Sequence, residues 1–224
     1  MPARNRGKII NESVQSIIDQ TENNWELIII DDHSDPGDKT KEVVNSFHDS
    51  RIKYFRLDDK YGRGIAAARN FGIIQASSDL IAITDSDDIN YPERLELSIK
   101  QLSAGADLVF ARIDLWDPET GEIKLREDKL KAGPFDFERF KTDNFIPNPT
   151  VAVKKQWLLD FPYNSFFQVG EDYDFFSRII EYGAKFEFID KSLAKYRVHE
   201  KSIMKSGDFE INFGQIVKHN RKWS

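Results

Sequence analysis

Three short buried runs do most to limit what this chain can fold into: Trp25–Ile30, Leu80–Thr84 and Asp107–Ala111, with helix-like stretches between them. Each is a continuous apolar or β-branched stretch rather than an alternating one, the pattern of a parallel strand buried on both faces. Arg51–Arg56 alternates and reads as a more exposed strand. Helical spacing occupies about 9–21, 38–48, 63–76 and 92–103. Strand and helix in alternation with short loops predict an α/β fold, a Rossmann-like and mostly parallel sheet flanked by helices. In such sheets ligands sit beyond the carboxyl ends of the strands. Asp31-Asp32 and Asp85-Ser86-Asp87-Asp88 each directly follow a buried run, so both clusters are candidates for a site.

The second half is less regular. Asp117–Gly121 reads as a hairpin turn, and Pro134, Pro147, Pro149 and Pro162 punctuate loops. A helix is predicted from near Asp172 to about Tyr182, with Gly183 just past its end. Lys185–Ile189 and Leu193–Val198 read as strands and Phe209–Arg221 as a terminal helix. No repeat or flexible linker divides the chain, which predicts a single domain over residues 1–224. At the N-terminus Pro2–Arg6 looks like the loop that leaves a first strand, yet only Met1 precedes it. The first strand is therefore expected to be absent, through truncation or because the sheet does without it.

Composition narrows the function. Thirty-two basic against 38 acidic residues give a net charge of −6, which argues against general nucleic-acid binding. The absence of cysteine excludes disulfide scaffolds, thiolate catalysis and cysteine metal sites. No apolar run approaches the roughly 20 residues of a membrane helix, and the opening residues do not read as a secretory signal. A soluble, cytoplasmic domain is expected.

The acidic clusters admit more than one chemistry. Carboxylates two apart at a strand end can converge on a hard cation, and Mg²⁺ is usually held by one or two carboxylates plus substrate phosphates. Asp85 and Asp87 fit that pattern, while a solvated, helix-capping loop is the alternative. A calcium loop fails, because Ile89 and Asn90 stand where an oxygen ligand and a glycine are required. Gly62–Ala67 matches a dinucleotide-binding fingerprint, but five residues separate it from its strand, so a loop feeding an alanine-rich helix reads better. Arg69 and Asn70 on that helix could face a phosphate or a base. Glu171, Asp172 and Asp174 crowd one helix start, where acids favour the helix dipole. The same dipole keeps a carboxylate ionised for general-base work, whereas mutual repulsion raises its pKa. His199 follows a strand and is either a metal ligand or a surface residue.

In order along the chain, Pro2–Arg6, Ser16–Thr21, Glu26–Ser34, Gly64–Gly72, Asp79–Asp88, Pro92–Leu95, Gly170–Asp174 and Tyr196–His199 resemble the family 2 glycosyltransferases of the A-type fold. The resemblance runs from about residue 2 to 204. It implies inverting transfer of a sugar from a nucleotide-sugar donor, commonly a UDP-sugar, to an acceptor hydroxyl, with Mn²⁺ or Mg²⁺ as cofactor. It implies a nucleotide-sugar-binding half at 1–112 and an acceptor-binding half at 113–224. The backbone of Pro2, Ala3 and Asn5 would line the nucleotide pocket, Asp32 would bind the base, Arg69 would lie near base or phosphates, and Asp85 by the ribose. Asp87 would bind the metal, joined in some members by a residue matching His199, and Asp172 would be the catalytic base. Carbohydrate or lipid-linked acceptors and a peripheral place at the inner face of the cell membrane are further implications. Family members carry an apolar strand ahead of the Pro2–Asn5 loop, which this chain lacks. A non-catalytic sugar-nucleotide or carbohydrate-binding module and a nucleotide-dependent oxidoreductase are the rival readings.

Overall fold

The computed structural model describes residues 1–126, 135–167 and 169–198. Its first layer is a parallel three-stranded sheet in the order β1-β2-β3, from Pro2–Ala3, Leu27–Asp31 and Ile52–Arg56. Every residue of β2 is buried. Alternation sends its side chains to two covered faces. Leu27 and Ile29 pack on α1 (Ile10–Ile18) through Ile10, Val14 and Ile17. Ile28 and Ile30 pack on α3 (Ile65–Gln75) through Ala67 and Ala68. Gly72 allows this close approach, since a Cβ there would stand 3.2 Å from the Ile30 side chain. The short α2 (Thr40–Asn45) connects β2 to β3.

Leu80 and Leu108 do not extend that parallel sheet. They enter a second, mixed sheet in the order β4-β8-β6-β9-β5, with β7 beside β6. Its strands are β4 (Leu80–Ala82), β5 (Ile89–Asn90), β6 (Leu108–Trp116), β7 (Ile123–Leu125), β8 (Ala152–Lys154) and β9 (Phe186–Arg197). All of its pairings are antiparallel except β6 with β9. The two strands expected at 185–189 and 193–198 are one strand, because β9 follows β6 through a register shift near Ala111 to Ile113 and so turns without breaking. Helices α4 (Arg94–Ser103), α5 (Phe137–Phe140), α6 (Lys155–Asp160) and α7 (Glu171–Glu181) complete the described chain. The largest core cluster is aromatic and lies between the mixed sheet and α7, with Phe110, Phe140, Phe175 and Phe176 almost wholly buried.

Pro2 and Ala3, expected in a loop, form a two-residue strand in register with Ile30 and Asp31. The open edge of β2 is the reason: Ile30 N–H donates to Met1 O at 2.9 Å and Asp32 N–H to Ala3 O at 2.8 Å. α7 begins and ends where its glycines set it, after Gly170 in the left-handed region and before Gly183 at φ 84°. The terminal helix expected at 209–221 lies outside the described residues.

Candidate functional site

Four chain segments meet beyond the carboxyl end of β2. Its last residue, Asp31, is a structural group: its carboxylate accepts from Ser34 N–H at 2.7 Å and from the Tyr54 hydroxyl. Asp32 faces the other way. Its Oδ2 accepts from Gly64 N–H at 2.9 Å and its Oδ1 stands 3.1 Å from His33 Nδ1, so it ties the glycine loop to the sheet. Gly62 and Gly64, at φ 86° and 91°, make the turn that brings that N–H into reach. Asn5 and the 31–35 loop are locked reciprocally: Asn5 N–H donates to Ser34 Oγ, Asn5 Nδ2 to Asp35, and Asp35 N–H to Asn5 Oδ1. The Asn5 side chain thus holds two loops together.

The acidic loop after β4 is braced from several sides. Arg94, fully buried on α4, donates to the carbonyls of Ile83 and Val151 and to the Asn90 side chain. Burial lowers its pKa to about 10. Arg197 at the end of β9 donates through Nε to Asp87 O at 2.8 Å and through its backbone N–H to Asp88 Oδ1 at 3.0 Å. Asp88 is buried, and desolvation, followed by the charges of Asp85 and Asp87, raises its pKa well above the usual carboxylate range. Asp85 and Asp87 keep part of their surface open. Each meets an arginine: Asp85 pairs with Arg69 and Asp87 with Arg6, both at 3.0 Å.

Arg69 joins this loop to the start of α7. Its guanidinium is buried between Asp85 and Glu171 and lies 5.4 Å from the Tyr163 ring. In the same helical turn Asp174 pairs with Arg178 at 2.9 Å. Asp172 stands between these two compensated acids, and among the described residues it has no ion-pair partner. Its Oδ1 accepts from Tyr173 N–H at 2.6 Å. Desolvation, and then the negative charge of Glu171, push its carboxyl up to about 7, against the pull of Arg69. A carboxyl balanced near neutrality in a partly open position can accept a proton from a bound hydroxyl.

The donor set is oxygen, which suits a hard divalent cation. Among the described residues no group of three or more His, Asp or Glu side chains is placed to hold a metal ion. Asp85 and Asp87 therefore fit a cation only as a part-site that ligand oxygens would complete. His199 lies outside the described residues.

Comparison with known proteins decides the family. The sequence profile of Glycosyl transferase family 2 matches residues 1–166. The chain belongs to that family. It is 32% identical over 197 residues to the uncharacterized glycosyltransferase MJ1057 of Methanocaldococcus jannaschii, covering 85% of this chain and 66% of that protein. It is 42% identical over 102 residues to WfgD of Escherichia coli, a UDP-Glc:alpha-D-GlcNAc-diphosphoundecaprenol beta-1,3-glucosyltransferase, covering 46% of this chain and 39% of that one. The fold matches S. aureus TarS 1–349 in complex with UDP-GlcNAc at a TM-score of 0.73 and 19% identity, over 96% of this chain and 63% of that one. The chain thus spans about two thirds or less of the length of these relatives.

Within this glycosyltransferase domain, sequence reading brought forward Asp32, Arg69, Asp85, Asp87 and Asp172, and the fold places Arg69, Asp85 and Asp172 around one charge network. Arg6 and Arg197 were not singled out as site residues, and Glu171 was named only as one acid of the cluster at the helix start. Arg6 and Glu171 had a usable signal, since each adjoins a chosen residue. Arg197 had only its place next to Val198 and His199, because its contacts with Asp87 and Asp88 span 110 and 109 positions.

Proposed function

We propose that the domain moves a sugar from a nucleotide-sugar donor, a UDP-sugar in the first place, to an acceptor hydroxyl with inversion at the anomeric carbon. The observation that carries this reading is the position of Asp172: a carboxyl with no ion-pair partner among the described residues, raised to about 7, one residue from the Glu171 that Arg69 bridges to Asp85. In this reading the base rests near Asp32 and the backbone of Pro2 and Ala3, with the ribose by Asp85 and Arg69 close to the diphosphate. Asp172 takes the acceptor hydroxyl proton while the acceptor oxygen attacks the anomeric carbon from the face opposite the leaving group. The glycosidic bond breaks with its electron pair passing to the diphosphate oxygen. Asp87, with His199 as a second proposed ligand, would hold Mn²⁺ or Mg²⁺ against that diphosphate, where the cation neutralises the developing charge.

The names of the relatives support a carbohydrate or lipid-linked acceptor and a role in polysaccharide or glycolipid synthesis; a peripheral place at the inner face of the cell membrane is part of the proposal. No helix among the described residues is long and apolar enough to cross a membrane. The test is acceptor turnover across a panel of UDP-sugars with Mn²⁺, together with UDP affinity, on the parent and on Asp172→Asn. Turnover should fall by roughly 10²-fold or more in the variant, with UDP affinity unchanged. Near-normal turnover in Asp172→Asn would remove it as the base. UDP-sugar binding with neither transfer nor donor hydrolysis in the parent would favour a binding module.

A further inference from the structure

Four arginines meet the acidic loop after β4, and three of them are fixed in place. Arg69, Arg94 and Arg197 are each at most 6% exposed. Each reaches acceptors on separate segments: Arg69 spans Asp85 and Glu171, Arg94 spans Ile83 O, Val151 O and Asn90, and Arg197 spans Asp87 O and Glu12. Arg197 also lies 4.3 Å from the centre of the Trp116 ring. Arg6 is different. Its side chain is 35% exposed, and among the described residues its guanidinium has one acceptor, Asp87 Oδ2 at 3.0 Å. Its Nε is buried and has no hydrogen-bond partner among the described residues.

The main chain of Arg6 does not share this freedom. Its N–H donates to Thr40 Oγ1 at 2.9 Å, and its carbonyl accepts from the Ile9 and Ile10 N–H groups at 3.0 and 2.9 Å, where α1 begins. Only the side chain is left to move, on a stem rooted beside Pro2–Asn5. A guanidinium presents its N–H donors in a planar fork that matches pairs of carboxylate or phosphate oxygens. On Asp87 Arg6 uses one arm of that fork and leaves Nε unused. Two phosphate oxygens would engage both.

A hard divalent cation sits about 2.1 Å from its carboxylate oxygen, so on Asp87 Oδ2 it would stand within about 5 Å of the Arg6 nitrogen. Two cations that close repel, and the more so where little water screens them. We propose that Arg6 competes with the cation for Asp87 and gives that carboxylate up when a nucleoside diphosphate binds. Nε and Nη2 turn to phosphate oxygens, and Asp87 is released to the cation. The proposal rests on the reading of Asp87 as a cation ligand. It makes Arg6 the residue through which the two ligands favour each other. Linkage makes that coupling reciprocal: a cation on Asp87 equally drives Arg6 toward phosphate. Without a phosphate-bearing ligand, the cation has to displace Arg6 unaided.

The test is calorimetry on the parent, Arg6→Met and Asp87→Ala, with melting curves to check folding. Mn²⁺ alone should bind Arg6→Met roughly 5-fold tighter than the parent, the low end of coupling between two sites. In EDTA, UDP should bind Arg6→Met roughly 10-fold more weakly, as charged hydrogen bonds are lost. Uridine, which has no phosphate, should bind both alike. Unchanged affinity of Arg6→Met for Mn²⁺ or for UDP, or equal weakening of UDP and uridine, would overturn the inference. Asp87→Ala tests the reading underneath. If it binds Mn²⁺ in the presence of UDP as well as the parent does, Asp87 is not the ligand, and the reading falls together with the inference. If it loses Mn²⁺ while Arg6→Met matches the parent, the reading stands and only the role of Arg6 is overturned. Should Arg6→Met fail to fold, Arg6→Gln carries the same comparison.

Discussion

The two acidic clusters of this domain use the same side chain to opposite ends. In the loop after β4, Asp85, Asp87 and Asp88 are met by Arg69, Arg6 and the Arg197 backbone, and the loop is anchored from below by Arg94. In the first turn of α7, Glu171 and Asp174 are compensated by Arg69 and Arg178, but among the described residues Asp172 between them has no such partner. The first arrangement fixes its carboxylates through ion pairs and hydrogen bonds from separate elements. The second isolates one carboxyl and moves its proton affinity toward neutrality. Arg69 belongs to both, so the clusters share one balance of charge.

Removing Arg69 should break the comparison most severely. Arg69→Met leaves Asp85 and Glu171 facing each other without a cation. Losing one partner of a buried ion pair costs about 3–5 kcal/mol. Urea unfolding should show a loss of that order near pH 7. A variant as stable as the parent would mean that the two clusters are not coupled through this side chain.

Asp87→Ala should act on the loop cluster alone. Calorimetry on the parent is expected to show weak Mn²⁺ binding without UDP and stronger binding with it, and the variant should lose that enhancement while still folding. Tight Mn²⁺ binding by the parent without nucleotide would contradict the part-site reading.

The smallest effect sharpens the α7 side. If Asp172 is the base, kcat/KM of the parent should rise with pH through an acid limb near 7, as its carboxyl gives up its proton. The Glu171 charge raises that carboxyl, so Glu171→Gln should move the limb to lower pH. The same linkage acts on stability. A native carboxyl at about 7 against an ordinary value of 3.8 binds more protons than the unfolded chain between those values, so its contribution falls as pH rises through that window. Asp172→Asn should therefore melt close to the parent at pH 4 and above it at pH 8. A limb that stays put in Glu171→Gln would place the titrating group elsewhere.

What was legible in the sequence was local. The apolar run ahead of Asp31 and Asp32 marks β2, Gly170 and Gly183 bound α7, and the acids after Leu80–Thr84 mark a strand end, because periodicity, turn conformation and burial of a run depend on near neighbours. Pairing is not local. Nothing near Leu80 or Leu108 says that they join antiparallel β8 rather than β2, since an apolar run suits any doubly covered strand. Likewise nothing in Glu171–Asp174 says which acid goes uncompensated. That choice rests on Arg69, 102 positions from Glu171, and on how deeply the packed helix removes Asp172 from water. The sequence alone determined where the carboxylates stand along the chain. Only the tertiary structure decided which of them is left to titrate, because Coulomb interactions and desolvation follow distance in space.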